Sequence, residues 1–490
     1  MRLKLFNILY IFLVYICSAL LMLPPCTAQI QENTILLDAE EVAKVALRNN
    51  FDIQIYNLDR LIGEQDLIES YAVYDTELTG EYKYTEDRLA RSSAIAGKRE
   101  TTVYQDMNLE KKLPAGTILS MGLTHEREYT DSVFATLNPH HESTAEISVT
   151  QPLAKDFFGI KTRNTIKVAA LDSKNVGYTS SEKIEQTIAL AQKAYWRLVL
   201  AYHEVGVRDQ ILSSAQKLSG VTKRNFELGT VEKAEFFAVE ANLKERQKDL
   251  VLAKNRLQAC INDLRLKLNL AKEVNIIPKD EPTFTEQEFD FSRSLSAALA
   301  NRKDYKVAKN EVKSKKLTLV MKRNSLWPQI DLVGTMKKNG IDSKFTKSFR
   351  EITSEDNPEY IIGVEFSFSL ENRGASAEFK QAQMKQMQAL INLKKTECAV
   401  FVEVNDAVNY GEACKKAAEY QSEAMKLQES KYRAEQDSFN KGRSDIDRLI
   451  RYQQDYLNSQ ISYLNTIYAY NEALIDLKLT TAELLSEVEA

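Results

Sequence analysis

Glycine and proline are scarce, 16 and 9 among 490 residues. Long segments therefore run without a breaker, and with 27% of residues charged the chain favours long helices with polar faces over a string of ordinary globules. Cysteine is scarce too: beyond residue 28 only Cys260, Cys398 and Cys414 occur. They sit far apart inside helical patterns, which excludes a disulfide framework and reads as free buried thiols. Charge of one sign is lacking, with a net of −4. No basic block points to nucleic acid, and no acidic tail points to disorder. After Leu23 no apolar run approaches the ~20 residues that a spanning helix needs. If this chain crosses a bilayer, it must cross with strands. No Ser-His-Asp order, HExxH, P-loop or Gly-rich dinucleotide turn appears, so no enzymatic constellation is present and no cofactor is implied.

What is present begins with an export signal. Arg2 and Lys4 precede an apolar run from Leu5 to Leu23, and small residues follow. Residues 1–28 read as a secretory signal peptide cleaved after Ala28. Cys26 leaves a lipoprotein alternative, but Pro24-Pro25 stand where a lipobox needs small residues. The same proline pair argues against an uncleaved anchor helix.

The mature sequence then states its punctuation twice. FELGTVEKAEFF (Phe226–Phe237) and FNKGRSDIDRLI (Phe439–Ile450) share Phe-x-x-Gly, a polar run and an apolar pair, 213 positions apart. Leu243, Leu250, Leu257 and Leu264 recur every seven residues, and the same offset reaches Tyr456, Tyr463, Tyr470 and Leu477. ALRNNFDI (Ala46–Ile53) likewise returns as ALANRKDY (Ala298–Tyr305), at an offset of 252. This is a duplicated supersecondary unit, with an insertion in the first copy. The unit predicts a first helix over Asp38–Ser70, then strands, a long helix from about Asn164 to Leu228, a glycine turn and a helix to about Leu270. Ile188, Ala191, Tyr195, Leu198, Tyr202 and Val205 form a heptad seam in the long helix. At 1.5 Å per residue that helix is ~98 Å long, too long for a compact domain and in want of lateral neighbours.

Between the helices the period changes to two. Leu78, Gly80, Tyr82 and Tyr84 alternate with polar residues, as do Ile147, Val149, Gln151 and Leu153. So do Ile330, Leu332, Gly334 and Met336, and then Val364, Phe366, Phe368 and Leu370. One apolar, aromatic-bearing face over seven to ten residues is the pattern of outer-membrane strands, with a half-exposed soluble sheet as the alternative. The insertion Val103–Glu128 reads as a hairpin turning at Leu113-Pro114-Ala115-Gly116. It either adds two strands or folds back as a flap. Two to six strands cannot close a barrel, and an open sheet edge is forbidden in lipid.

In this arrangement the chain resembles the TolC-like outer-membrane efflux protein family over nearly the whole mature length. The residues that carry the likeness are Asn301-Arg302-Lys303-Asp304 opening a helix, Leu326-Trp327-Pro328-Gln329-Ile330-Asp331-Leu332 entering a strand and Gln151-Pro152-Leu153 closing one. The two Phe-x-x-Gly turns and the exits into long helices at Gly159 and Gly374 complete it. The resemblance implies a mainly α fold with a small β part, in which duplicated helix–strand–strand–long helix–turn–helix units form a trimeric α-barrel tunnel capped by a shared transmembrane β-barrel. It divides the chain into a signal peptide (1–28), a first repeat (29–270), a linker at mid-height outside the wall (271–294), a second repeat (295–481) and a C-terminal tail (482–490). It implies a homotrimer in outer-membrane lipid with its tunnel in the periplasm, a periplasmic adaptor, an inner-membrane pump of resistance-nodulation or ABC type, and no nucleic acid. The implied function is a non-enzymatic, passive exit duct for small molecules. A conduit for type I protein secretion and a periplasmic coiled-coil scaffold are the alternatives.

On that resemblance Phe226, Gly229, Phe439 and Gly442 mark the periplasmic tip and adaptor-docking turns. The family carries acidic residues six and nine positions after the second glycine, at the narrowest point. Here Arg448 and Arg451 stand there, preceded by Asp445 and Asp447, with Glu235 at the sixth position of the first repeat. Two readings follow: an anion-favouring constriction, or interhelical salt bridges that hold the tip closed. His140-His141 near Glu142 reads as a solvated loop rather than a metal site. His203 reads as structural, the basic run Lys309–Arg323 as a solvated helix face, and Tyr456, Tyr463 and Tyr470 as packing.

Overall fold

The computed structural model describes residues 34–90, 97–284 and 287–489. The signal peptide read at 1–28 lies outside them. The first repeat runs β1 (Thr34–Leu37), α1 (Ala39–Asn49), α2 (Phe51–Ser70), β2 (Thr76–Asp87), β3 (Glu100–Lys112), β4 (Ile118–Thr130), β5 (His140–Pro152), α3 (Ile160–Glu227) and α4 (Lys233–Leu268). The second runs β6 (Asn275–Pro278), α5 (Phe291–Asn301), α6 (Lys303–Asn324), β7 (Gln329–Asp342), α7 (Phe345–Ser354), β8 (Pro358–Ser367), α8 (Arg373–Asn440) and α9 (Ile446–Thr481), and α10 (Leu484–Glu489) follows. Repeat lengths match closely: α3 and α8 have 68 residues each, α4 and α9 have 36 each. The long helices span ~100 Å.

The expected single helix Asp38–Ser70 is two helices. Asn50 ends α1 in extended backbone (φ −64°, ψ 130°) and caps α2, its side chain accepting from the Ile53 N–H at 3.1 Å. Its Nδ2 donates to the Lys267 carbonyl at 2.7 Å, which fixes the break against α4. The second repeat breaks at the matching Arg302. A capping box opens α1: Asp38 accepts from the Glu41 N–H and Glu41 from the Asp38 N–H. The exit into α3 uses Gly159 at φ 64°, but the exit into α8 uses Asn372 at φ 42°, with Gly374 already inside the helix. Asparagine tolerates that left-handed conformation, so the missing glycine is replaced rather than lost.

The helices form a wall one layer thick. On the sheet side α2, α3, α6 and α8 lie side by side, and on the turn side α4, α3, α9 and α8 do. The best-buried core sits at mid-height. There Val42 and Ala46 of α1, Tyr195 and Leu198 of α3, Leu264 and Leu268 of α4, and Ile276 of β6 pack together. β6 pairs with β1 in parallel, tying the linker to the start of the chain. The Tyr195 hydroxyl lies 2.8 Å from Asp280 Oδ2 and 3.0 Å from the Leu37 carbonyl. Burial pushes its pKa well above the usual tyrosine range. Leu484 of α10 is buried with Ile53, Ile188 and Ile475, so the C-terminal residues fold back on this belt.

All six long strands form one antiparallel sheet in the order β2-β3-β4-β5-β7-β8. The inserted hairpin therefore adds two strands to the middle of the sheet rather than folding back as a flap, and its bounds are Glu100–Lys112 and Ile118–Thr130. Its turn is seated on the start of α3: a Cβ on Gly116 would lie 2.8 Å from the Gly159 nitrogen. Pairing aligns Leu78, Leu109, Met121, Ile147, Met336 and Tyr360 in one row across all six strands, every one of them exposed. The adjacent row, on the other face, is Thr79, Asn108, Gly122, Glu146, Lys337 and Glu359. The sheet is amphipathic, with its apolar face bare except where α7 covers it at Gly340 and Ser143. His140 and His141 begin β5 rather than lying in a loop, because their backbones pair with Glu128 and Arg127.

Candidate functional site: the turn tip and the open seams

Both glycine turns close by the same hydrogen bonds. The Gly229 N–H donates to the Phe226 carbonyl and the Thr230 N–H to the Asn225 carbonyl, each at 2.9 Å. In the second repeat Gly442 donates to Phe439 at 2.9 Å and Arg443 to Ser438 at 3.0 Å. These are paired Schellman motifs, and φ of 78° and 66° is why the residue at each reversal is glycine. The Phe-x-x-Gly spacing is the spacing of the motif itself. The Phe226 ring stacks on Phe236 at 4.9 Å, bracing α3 against α4. Leu228 and Phe237 are left exposed at this turn, at 76% and 56%. Large apolar groups bared at a helix reversal fit a partner surface.

The five charged candidates gather around the turns, but the proposed cross-pairing is absent within the chain. Asp445 caps α9 by accepting from the Arg448 N–H at 2.7 Å, and its other oxygen lies 3.8 Å from the Arg448 guanidinium. Among the described residues no ion pair joins Glu235 to Arg448 or Arg451. Arg451 and Asp447 are exposed, and Glu235 is half-buried. Arg448 thus makes only a long, exposed contact within its own turn and no bridge to another helix. The bridges that do span helices lie elsewhere, as with Lys431 and Asp455 at 2.7 Å.

The lateral margins carry a signal that sequence reading missed. On α2, Phe51, Ile55, Leu58 and Ile62 step by four, three and four, and all are exposed, Phe51 at 62%. On α8 the exposed residues Met384 (67%), Met387, Ile391 and Val402 follow heptad steps, with exposed Cys398 in the same series. Cys398 is therefore not a buried thiol, unlike Cys414. The two stripes lie on opposite margins of the wall, both within roughly 30 residues of the sheet-side helix ends. Heptad stripes face partner helices, and among the described residues both stripes stay exposed, although Cys398 and Val402 line a groove with Leu295 and Leu299 of α5. A pattern search for exposed 4-3 apolar steps would have found both.

Other candidates resolve quietly. His203 is held below the usual histidine range by burial, and Tyr470 is fully buried against Phe284 and Phe289. Among the described residues no group of three or more His, Cys, Asp or Glu could hold a metal ion, and no helix is long and apolar enough to cross a membrane.

Residues 294–483 match the model of the family described as outer membrane efflux protein. That part of the chain, its second repeat, is similar to the family. No curated protein sequence matches it. Among solved structures it is similar to the Campylobacter jejuni CmeC outer membrane channel, with TM-score 0.66, 14% identity, and 92% of this chain and 89% of that one covered. The outer membrane protein VceC of Vibrio cholerae gives 0.66 at 12% identity, covering 90% and 95%. The Neisseria gonorrhoeae MtrE outer membrane channel gives 0.66 at 14%, covering 91% and 89%. At these identities the likeness shows the fold. The match over the second repeat, together with the shared fold, indicates an outer-membrane location with the helices in the periplasm.

Proposed function

We propose that three copies of this chain enclose one passive duct, a β-barrel in the outer membrane continuing into a helical tunnel, through which small molecules leave the cell. The carrying observation is that every lateral surface is open at once. β2 and β8 are unpaired sheet edges, and α2 and α8 bear bare heptad stripes. Copies related by rotation join β2 to β8 and the stripe of α2 to that of α8. Six strands from each of three copies give ~18 strands, the size class that holds an aqueous channel. The bared Leu228 and Phe237 and the two glycine turns are the docking surface for a periplasmic adaptor, which couples the duct to an inner-membrane pump of resistance-nodulation or ABC type.

Arg448 and Arg451 act as a charge filter at the tip. Their support is exposure together with the absence, among the described residues, of any cross-bridge to Glu235 or other carboxylate partner for Arg451. A ring of guanidinium groups in a narrow, low-dielectric passage attracts anions. Planar-bilayer recordings test both parts. The wild type conducts without an energy source, and Arg448→Ala/Arg451→Ala shifts its reversal potential toward cation preference. Absence of any channel would refute the duct, and unchanged selectivity would refute the filter alone.

A further inference from the structure

The ten-residue helix α7, between β7 and β8, lies on the apolar face of the sheet, which is the outer wall of the proposed barrel. A Cβ on Gly340 would lie 2.2 Å from the Ser348 carbonyl oxygen, so only glycine admits the helix this close. Ser348 Oγ lies 3.0 Å from Ser143 Oγ, and both serines are fully buried. The Phe345 ring meets His125 edge-on at 4.7 Å. Gly340, Ser143 and His125 share the pleat face of the bare apolar rows. Beside the helix that face is cut by a groove of about 410 Å³ lined by Tyr82, Met107, Leu123, Phe345 and Phe349, among others.

The height of α7 fixes what it meets. Ten residues of β7 separate Ile330, at the lower limit of the apolar rows, from Gly340, which is ~34 Å along the strand. At a tilt near 40° this is ~26 Å along the membrane normal, the height of a barrel's whole apolar band. The helix therefore sits where hydrocarbon ends and headgroups begin. Its buried residues are Ser348 and Ile352. Lys347 and Arg350 lie on the opposite side and are exposed. Lys347 is 3.8 Å from Asp342, and Arg350 has no carboxylate partner among the described residues. Cations turned outward beside an apolar groove match an anionic headgroup above an acyl chain.

We propose that α7 and the wall beside it bind an acylated, phosphate-bearing lipid of the outer leaflet, its acyl chain in the groove and its phosphate against Lys347 and Arg350. This rests on the outer-membrane reading above. The test is native mass spectrometry of the full oligomer released from detergent, titrated with diphosphorylated lipid A and with the same lipid dephosphorylated. Wild type retains the phosphorylated form about tenfold better, and inorganic phosphate does not displace it. Lys347→Ala/Arg350→Ala erases the preference, and Leu123→Trp, which fills the groove, weakens both lipids about tenfold. Equal retention of both lipids by wild type and variants, or full displacement by inorganic phosphate, overturns the site. A chain recovered only in the soluble fraction overturns the membrane reading instead, and the site with it.

Discussion

Single residues here act mostly through backbone geometry. Gly229 and Gly442 hold positive φ with nothing within 4 Å of where a Cβ would stand. Alanine at either therefore meets conformational strain alone, ~1 kcal/mol. Hydrogen exchange should speed up at the substituted turn while the mid-height core keeps its protection. Gly340 is the opposite case, a close approach: Gly340→Ala should lift α7 and raise proteolysis between residues 343 and 357 at least tenfold, while Gly334→Ala, in open space on the same strand, should not. Glu185 supplies a pH test. It is 2% exposed, with Lys303 at 3.7 Å and Glu182 nearby, and burial raises its pKa above the usual carboxylate value. A raised pKa means its contribution is intact below the ordinary glutamate value and is lost as pH rises through the folded one. Glu185→Gln should therefore melt like wild type near pH 4 and be the more stable of the two by pH 8 in paired thermal melts. Gly229 and Gly442 were legible because a Schellman turn is written in consecutive residues. Gly340 and Asn50 were not, because what constrains them arrives from elsewhere in the chain.

Among the elements, the long helices and the strands were legible because sustained periods of seven and two survive over many residues. The hairpin was legible as a hairpin, but its place was not, since pairing partners are decided by the order of strands in the sheet. α7 escaped notice because ten residues give too short a window for a helical period, and it lies between two strands. The break at Asn50 escaped because a capping asparagine inside an apolar pattern reads as one more polar position. The stripe on α8 gives this scale its prediction. Cys398 should react with a thiol reagent slowly in the native oligomer and at least tenfold faster after denaturation, whereas Met387→Asp should weaken the oligomer without melting the chain's own mid-height core.

For the whole molecule, the decisive property is that one chain is an incomplete object. A wall one helix thick with bare heptad margins and a sheet with two free edges leaves apolar surface and backbone groups that lipid cannot satisfy. Duplication explains how such a chain arises: each repeat supplies one long helix, one stack of shorter helices and part of the sheet, and only several copies close the circle. The sequence carried the repeat and the alternation openly, while the stoichiometry and the tip electrostatics depend on neighbours that a single chain does not display. The most direct measurement is the mass of the detergent-extracted mature protein by light scattering. Three chains per particle, dissociating when Met387 or Ile391 is made acidic, is the predicted result. A stable, compact single chain in detergent-free buffer would contradict it.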